Sequence, residues 1–152
     1  MIKEVKNEAE MKRFGEALGS YLFGGTIIEL IGDVGSGKTT LAKGIAAGLG
    51  VEDDVQSPSF TIKRVYDARD HLIFAHYDFY RLMDAGIMTN ELEESLSDLN
   101  CITIIEWGEI VDGVLPMDRL SIKIASPTEN SRELTIRANG EKSQKILDCL
   151  SV

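Results

Sequence analysis

The feature that most constrains this chain is the segment GDVGSGKTT at residues 32–40, which contains the pattern GxxxxGK[ST]. A short apolar run ends just before it at Ile31, and the residues that follow favour a helix. In such a turn, main-chain N–H groups can point inward at a polyphosphate, and glycines keep side chains out of the way. The N-terminus of the following helix adds partial positive charge at the same place. The segment therefore predicts a strand, a phosphate-binding loop and a helix in succession.

Two side chains of this segment carry chemistry that a simple linking turn would not need. The Lys38 ammonium is expected to reach the outer phosphates of a nucleotide. The Thr39 hydroxyl is expected to complete the coordination of a Mg²⁺ ion, because Mg²⁺ binds hard oxygen ligands and keeps several waters. The sequence lacks the NKxD pattern that is common in GTP-binding proteins with such a loop, which favours adenine as the base.

Length and composition predict one domain, residues 1–152, with a core of its own. Of the 152 residues, 43% are hydrophobic, which suits a globular fold that needs no disulfide or structural metal for stability. The net charge is −9, from 16 basic and 25 acidic residues, so the chain should repel phosphate backbones at long range. If nucleic acid is involved, we expect a partner protein to hold it.

The sequence predicts a cytoplasmic protein with no membrane contact. The two cysteines, Cys101 and Cys149, lie far apart, and neither forms a CxxC or has a metal-site spacing with His71 or His76. Such cysteines are typical of reduced thiols in an intracellular protein. We find no apolar stretch near the ~20 residues of a membrane span, and no secretory signal in the first residues.

Hydrophobic periodicity predicts an α/β fold. Apolar side chains recur at helical spacing from Met11 to Leu22, after a pair that resembles a capping box, Asn7 and Glu10. The predicted helices are 7–23, 38–49 and 141–150, with one or two short helices within 79–99. The predicted strands are 26–31, 60–66, 71–77, 101–105, 120–125 and 134–138. The second and third of these strands flank a turn at 67–70 and form an antiparallel hairpin. Alternating strands and helices predict a P-loop NTPase-type, mainly parallel sheet with helices on both faces.

Two carboxylates at predicted strand ends are candidates for the metal and the reaction. Glu106 ends the run CITIIE, and Asp78 ends the run LIFAHYD. The C-terminal ends of parallel strands meet at the ligand-binding edge of a sheet, where P-loop proteins use an acidic residue near the metal. Glu106 can hold Mg²⁺ directly or through water, and Asp78 can orient the attacking water or a metal-bound water. The sequence leaves open which of the two contacts the metal directly.

The loop QSPSFT at residues 56–61 carries three hydroxyls, on Ser57, Ser59 and Thr61. In P-loop switches, a loop of this kind is ordered by the γ-phosphate and relaxes when that phosphate is lost. A proline-containing surface turn is the alternative interpretation. Trp107 likewise has two interpretations, an aromatic ring that packs across the end of the sheet or one that stacks on a ligand.

Four blocks of sequence, in this order and spacing, resemble those of one protein family. They are GDVGSGKTT at 32–40, SPSF at 57–60, HYDFYRL at 76–82 and IIEW at 104–107. Together they resemble the TsaE family, also called YjeE, the small bacterial P-loop ATPases of tRNA threonylcarbamoyladenosine synthesis. The resemblance extends over nearly the whole chain. It implies a protein that binds ATP and Mg²⁺ and hydrolyses ATP weakly by itself.

The resemblance also implies partners. Proteins of this family associate with the TsaB–TsaD pair, in which TsaD transfers the threonylcarbamoyl group to an adenosine of tRNA. Hydrolysis by the family member is thought to reset that complex between turnovers. By this resemblance, the chain would meet tRNA only indirectly, through the complex.

Individual roles follow from matching positions. The resemblance makes Thr39 and Glu106 the Mg²⁺ ligands, and residues 57–60 the switch loop. The implied catalytic residues are Lys38, Asp78 and Glu106. The implied nucleotide-binding residues are Glu8, Asp33, Val34, Gly35, Ser36, Gly37, Lys38, Thr39, Thr40, Asp78, Trp107 and Arg132. One segment departs from the family pattern: residues 83–96 read MDAGIMTNELEESL where family members often have PEELE…G.

Two other functions share much of this chemistry. A small-molecule kinase with a P-loop fold usually carries a lid with several arginines that clamp the transferred phosphoryl group. The seven arginines of this chain are scattered from Arg13 to Arg137 and form no such cluster. A nucleotide-dependent binding switch, in which hydrolysis is incidental, would use every residue named above.

Overall fold

The structure is a computed structural model that describes residues 1–84 and 86–152, apart from the side chain of Ile87. The described strands are β1 Ile2–Val5, β2 Ile27–Ile31, β3 Lys63–Asp67, β4 Ile73–Asp78, β5 Cys101–Glu106, β6 Leu120–Ala125 and β7 Arg132–Ala138. The described α-helices are α1 Glu8–Tyr21, α2 Lys38–Gly48, α3 Gly86–Ser97 and α4 Glu141–Leu150. Ala85, within the segment that departs from the family pattern, lies outside the described residues.

All seven strands form one sheet, in the order β1-β7-β6-β2-β5-β4-β3. The four central strands, β6, β2, β5 and β4, run parallel to one another. The pairings toward both edges are antiparallel: β3 with β4, β7 with β6, and β1 with β7. The predicted α/β class, the parallel core and the hairpin are therefore confirmed. The antiparallel pairing of β6 with β7 and the edge strand β1 were not predicted.

One face of the sheet is covered by α1, α2 and α4. The predicted apolar positions of α1, from Met11 to Leu22, are buried in the main core. Asn7 caps this helix by accepting from the Glu10 N–H at 2.9 Å, as the sequence suggested. The reciprocal bond differs from a standard capping box, because the Glu10 carboxylate accepts from the N–H of Lys6 at 2.8 Å.

The other face is covered by α3 and by a short 3-10 helix, Gly108–Val114, which was not predicted. Here Tyr77, Phe79, Leu92 and Ile105 form a second apolar cluster. Helices thus cover both faces, as predicted. No helix among residues 1–84 and 86–152 is long and apolar enough to cross a membrane.

The predicted strand at 60–66 begins later, at Lys63, because the preceding residues turn. The Pro58 carbonyl accepts from the N–H groups of Thr61 and Ile62, and Ile62 adopts a left-handed conformation with φ of 68°. The partner strand, predicted at 71–77, is shifted to Ile73–Asp78. This shift brings Asp78 into the strand and opposite Glu106 in the parallel register.

Candidate nucleotide site

The loop between β2 and α2 has the geometry of a phosphate cradle. Gly35 and Gly37 have φ of 80° and 105°, a left-handed conformation that favours glycine, and Gly37 caps the N-terminus of α2. Among the described residues, no hydrogen bond occupies the N–H groups of Val34, Gly35 or Gly37. Ser36 is buried, and its hydroxyl has no partner among the described residues. The loop therefore presents free donors, as anion binding requires.

Lys38 lies folded over this loop. Its Nζ donates to the carbonyl oxygens of Gly32 at 2.6 Å and Asp33 at 2.9 Å, and lies 4.7 Å from the Trp107 ring centroid. Burial lowers the pKa of Lys38, and the carboxylates of Glu106, Asp78, Asp33 and Glu109 oppose that shift. The ammonium is thus held beside the cradle by loop carbonyls, within an acidic surrounding.

A cavity of about 490 Å³ lies in front of the loop and brings most predicted residues together. The predicted residues that line it are Val34, Gly35, Gly37, Lys38, Thr39, Thr40, Asp78, Glu106 and Trp107. Ser57, Ser59 and Phe60 of the predicted switch loop line it too, with Tyr80 and Arg81. Asp33 and Ser36 are not among the lining residues: the Asp33 side chain is exposed and its carbonyl accepts from Lys38, and Ser36 is buried behind the loop. The convergence follows from the sheet, since β2, β4 and β5 are parallel and end at the same edge.

Asp78 and Glu106 are register partners on adjacent strands, and both are buried. The two carboxylates are held differently. Asp78 accepts through both oxygens, from the Ser59 hydroxyl at 2.8 Å and from the Tyr80 N–H at 2.9 Å. Among the described residues, Glu106 is bonded through one oxygen, Oε2, which lies 2.9 Å from His76 Nε2. Glu106 therefore has the freer oxygen for a cation.

The predicted switch loop is connected to Asp78 through its hydroxyls. The Ser57 and Ser59 hydroxyl oxygens are 2.8 Å apart, and Ser59 in turn donates to Asp78. Next to them, Phe60 is 83% exposed, and the Arg81 guanidinium lies 4.3 Å from its ring centroid. Because the loop contacts a carboxylate of the cavity, it is more than an isolated surface turn.

Trp107 forms a wall of the cavity. It adopts a left-handed backbone conformation, with φ of 57°, directly after β5. Its ring is half-buried, contacts the Lys38 ammonium and lies 4.8 Å from the Tyr80 ring, centroid to centroid. The ring therefore lies beside the cradle, a position that is compatible both with packing across the end of the sheet and with stacking on a ligand.

A second cavity, of about 360 Å³, lies on the other side of the loop. It brings together Glu8, from the first turn of α1, and Arg132, from the start of β7, as the family resemblance implied. The Arg132 guanidinium braces the loop by donating to the Ser36 carbonyl at 3.0 Å and the Gly35 carbonyl at 3.4 Å. The other lining residues are Asn7, Met11, Gly35, Ser36, Gly37, Thr40, Glu129 and Asn130.

The sequence reasoning missed Asn7, Glu129 and Asn130 as cavity residues, and it assigned no role to His76. Asn7 was identified only as a helix cap. Glu129 and Asn130 lie in a connection without a motif, so no local signal marks them. His76 lay within the quoted block HYDFYRL, but its contact with Glu106 depends on the pairing of β4 with β5.

The residues present fit a magnesium-bound nucleotide. Free loop N–H groups suit phosphate oxygens, and the hydroxyl of Thr39 and the carboxylate of Glu106 are hard oxygen ligands on one cavity. In the described part of the chain, no group of three or more His, Cys, Asp or Glu side chains could hold a metal alone.

Comparison with known proteins gives consistent matches. The family model described as "Threonylcarbamoyl adenosine biosynthesis protein TsaE" matches residues 5–134. The tRNA threonylcarbamoyladenosine biosynthesis protein TsaE of Bacillus subtilis is 33% identical over 145 residues, which cover 95% of this chain and 90% of that protein. The protein of the same name from Borreliella burgdorferi is 40% identical over 123 residues, 79% of this chain and 87% of the relative.

A solved structure agrees as well. The crystal structure of Bacillus subtilis YdiB superposes with a TM-score of 0.82 at 30% identity. The superposition covers 99% of this chain and 93% of that one.

Proposed function

This chain belongs to the TsaE family of threonylcarbamoyl adenosine biosynthesis proteins, and from that premise we propose that it is a Mg²⁺-dependent ATPase that serves the TsaB–TsaD complex. In this role it supports the formation of threonylcarbamoyladenosine in tRNA and acts in the cytoplasm. Its own activity is weak and depends on the partner proteins.

One observation carries the proposal: the free N–H groups of the loop, Lys38, Thr39 and two buried strand-end carboxylates converge on one cavity. The loop amides and the Lys38 ammonium bind the phosphates, and Lys38 exchanges its bonds to the Gly32 and Asp33 carbonyls for bonds to phosphate oxygens. The Thr39 hydroxyl and Glu106 hold the metal. Bound Mg²⁺ neutralises charge that develops on the phosphates.

Asp78 orients the water that attacks the γ-phosphate. It is buried, it ends the strand next to Glu106, and two hydrogen bonds fix its carboxylate. One of these bonds comes from Ser59 of the switch loop. A movement of this loop therefore changes the environment of Asp78, which supports dependence of hydrolysis on partners that contact the loop.

The nucleoside part binds in the second cavity, between α1 and β7. Glu8 is available to a base, and Arg132 keeps the loop carbonyls in place from the same side. The two cavities share Gly35, Gly37 and Thr40, so one extended ligand can occupy both. A nucleoside triphosphate has this shape, with an uncharged aromatic base at one end and charge at the other.

The net charge supports indirect contact with tRNA. At −9, the chain alone is repelled by a phosphate backbone, so TsaB and TsaD are expected to supply the tRNA-binding surface.

The proposal is tested by incubating the purified chain with ATP and Mg²⁺, with and without TsaB and TsaD. We expect free phosphate to be released slowly by the chain alone and faster with both partners. A pull-down should retain the partners more strongly in ATP than in ADP. Transfer of the phosphoryl group to a metabolite would indicate a kinase instead, and nucleotide-dependent capture without phosphate release would indicate a binding switch.

A further inference from the structure

The pair His76 and Glu106 is the most deeply buried polar contact beside the cavity. The His76 side chain is 0% exposed and that of Glu106 is 2% exposed. They come from adjacent parallel strands, in which His76 pairs with Ile104 and Asp78 pairs with Glu106. His76 lies two residues before Asp78 in β4, so both side chains are on the face of the sheet that carries Glu106.

His76 supplies the hydrogen bond that a buried carboxylate needs. Among the described residues, the contact between His76 Nε2 and Glu106 Oε2, at 2.9 Å, is the only hydrogen bond to the Glu106 carboxylate. A carboxylate oxygen only accepts, so Nε2 carries the hydrogen. The other ring nitrogen, Nδ1, is buried without a partner in the described part of the chain. The histidine is therefore directed at Glu106 alone.

The bond engages one oxygen of Glu106 and leaves Oε1 unengaged by the described residues. A carboxylate held in this way cannot rotate freely, so its second oxygen keeps one orientation. Carboxylates that bind metals are commonly fixed by such partners, and loss of the partner weakens metal binding by roughly 10–100-fold.

We infer that His76 is a positioning residue, which fixes the Glu106 carboxylate so that its free oxygen is available to Mg²⁺. The inference rests on the proposed function and adds a residue to it. The alternative is that His76 only fills core space, where its ring lies 6.1 Å from the Phe74 ring, centroid to centroid. The positioning role and the space-filling role make different predictions for a substitution that keeps an N–H donor: only the positioning role predicts that such a side chain restores Mg²⁺ binding.

The test measures the Mg²⁺ dependence of nucleotide binding in His76→Leu and His76→Gln. The fluorescence of Trp107, the only tryptophan of the chain, reports on the site without turnover. We expect the Mg²⁺ concentration at half-saturation to rise about tenfold or more in His76→Leu, and to stay within about threefold of wild type in His76→Gln, which keeps an N–H donor. Binding of ATP in EDTA should be unchanged in both.

Ile102→Ala is the matched control, because Ile102 is fully buried on the same face of β5 but four residues before Glu106. It should lower thermal stability while the Mg²⁺ dependence stays at the wild-type value. In a Glu106→Ala background, His76→Leu should cause no further loss of Mg²⁺ affinity. An unchanged Mg²⁺ dependence in His76→Leu, or a Gln variant as impaired as the Leu variant, would overturn the positioning role.

A second measurement uses the wild-type chain and does not depend on the folding of any variant. NMR of isotopically labelled histidine nitrogens should show a hydrogen on Nε2 of His76, with the exposed His71 as internal reference. A hydrogen on Nδ1 instead would refute the bond. If the wild-type protein binds MgATP and His76→Leu has the same Mg²⁺ dependence, only this inference is overturned. If the wild-type protein fails to bind MgATP, the proposed function is overturned as well.

Discussion

Lys38 shows how a single residue is prepared for a ligand. A buried ammonium is costly unless it is paired, and here two loop carbonyls accept from it while nearby carboxylates favour its charged form. Phosphate oxygens can take the place of those carbonyls, so the lysine exchanges one set of acceptors for another. Its position beside the loop could be predicted from the motif, because the motif is local in sequence.

At the residue scale, we predict that Asp78→Ala and Glu106→Ala reduce turnover more than binding. Each removes a carboxylate that we propose acts on the metal or the water, so phosphate release should fall by about 10²-fold or more. The loop amides and Lys38 remain, so ATP affinity by calorimetry should fall much less. Glu109→Ala, an exposed carboxylate close enough to act on Lys38, is the control. Hydrolysis at the wild-type rate in either variant would reject its role.

Other parts of the site could not be predicted residue by residue. The bond between Ser59 and Asp78 joins residues 19 apart, and that between His76 and Glu106 joins residues 30 apart. Both depend on the register of the sheet and on the path of the loop, and neither leaves a periodic or spacing signal. The sequence therefore identified both carboxylates but not what holds them.

At the element scale, α1 and α2 approach closely through glycines. Each helix carries two glycines four residues apart, Gly15 and Gly19 in α1 and Gly44 and Gly48 in α2. A Cβ at Gly15 would lie 2.7 Å from the Leu41 carbonyl oxygen, and one at Gly19 would clash with the Ile45 carbonyl oxygen. This contact holds α1 against the helix that begins at Lys38.

We predict that Gly19→Ala destabilises the protein by about 1–3 kcal/mol, because overpacking outweighs the better helix propensity of alanine. Thermal or denaturant unfolding measures the change. Gly113→Ala is the control, since a Cβ there would meet nothing within 4 Å. Equal stability of the Gly19 and Gly113 variants would mean that the helices separate at no cost.

A second element-scale feature is the start of α4, whose N-cap residue, Gly140, has no side chain to offer. Asp118 acts instead: it accepts from the Lys142 N–H at 2.9 Å, the Ser143 N–H at 3.0 Å and the Ser143 hydroxyl at 2.8 Å. Burial raises the pKa of Asp118, but the bonds from Lys142 and Ser143 outweigh it, so the pKa lies below its ordinary value.

From this we predict that Asp118→Ala lowers the free energy of unfolding by about 1 kcal/mol near neutral pH. Because the pKa of Asp118 is lowered in the folded protein, its contribution to the free energy of unfolding is present at pH values above the unfolded-state pKa near 3.8. That contribution is lost as the pH falls through the folded-state pKa. The difference between wild type and variant should therefore disappear in acid. A difference that is constant from neutral to strongly acidic pH would contradict the assignment.

Long, periodic elements were predictable, whereas short or edge elements were not. The helix at 141–150 and the strand at 120–125 have the bounds that periodicity predicted. The strand Ile2–Val5 has only four residues, three of them exposed, and is defined by its pairing with β7. The helix Gly108–Val114 was missed for a related reason, since it is short and follows a left-handed residue.

At the scale of the whole molecule, the parallel centre of the sheet explains why the site lies at one edge. Strands β2, β4 and β5 deliver the loop, Asp78 and Glu106 to the same edge, and α1 and β7 add Glu8 and Arg132 from the side. The fold class and this edge could be predicted from the order of strands and helices. The antiparallel hairpin of β3 and β4 was predicted as well. The antiparallel pairings of β7 with β6 and of β1 with β7 could not be predicted, because they depend on the order of the strands in the sheet and not on a local sequence signal.

The overall charge leads to a further prediction at this scale. A chain with a net charge of −9 should show no measurable binding to tRNA alone near 0.15 M salt, about the physiological ionic strength. Gel-shift assays with the chain alone, with TsaB and TsaD, and with all three would measure this. Salt-dependent tRNA binding by the chain alone at micromolar concentration would contradict the view that partners hold the RNA.

The central claim is that the loop amides at 32–39 and Lys38 bind the phosphates of MgATP. Calorimetric titration of MgATP into wild type, Lys38→Ala and the exposed-site control Lys43→Ala tests it most directly. We predict saturable binding at one site in wild type and in Lys43→Ala, and no detectable binding in a folded Lys38→Ala. Wild-type affinity retained by Lys38→Ala, or no binding by the wild-type chain, would contradict the claim.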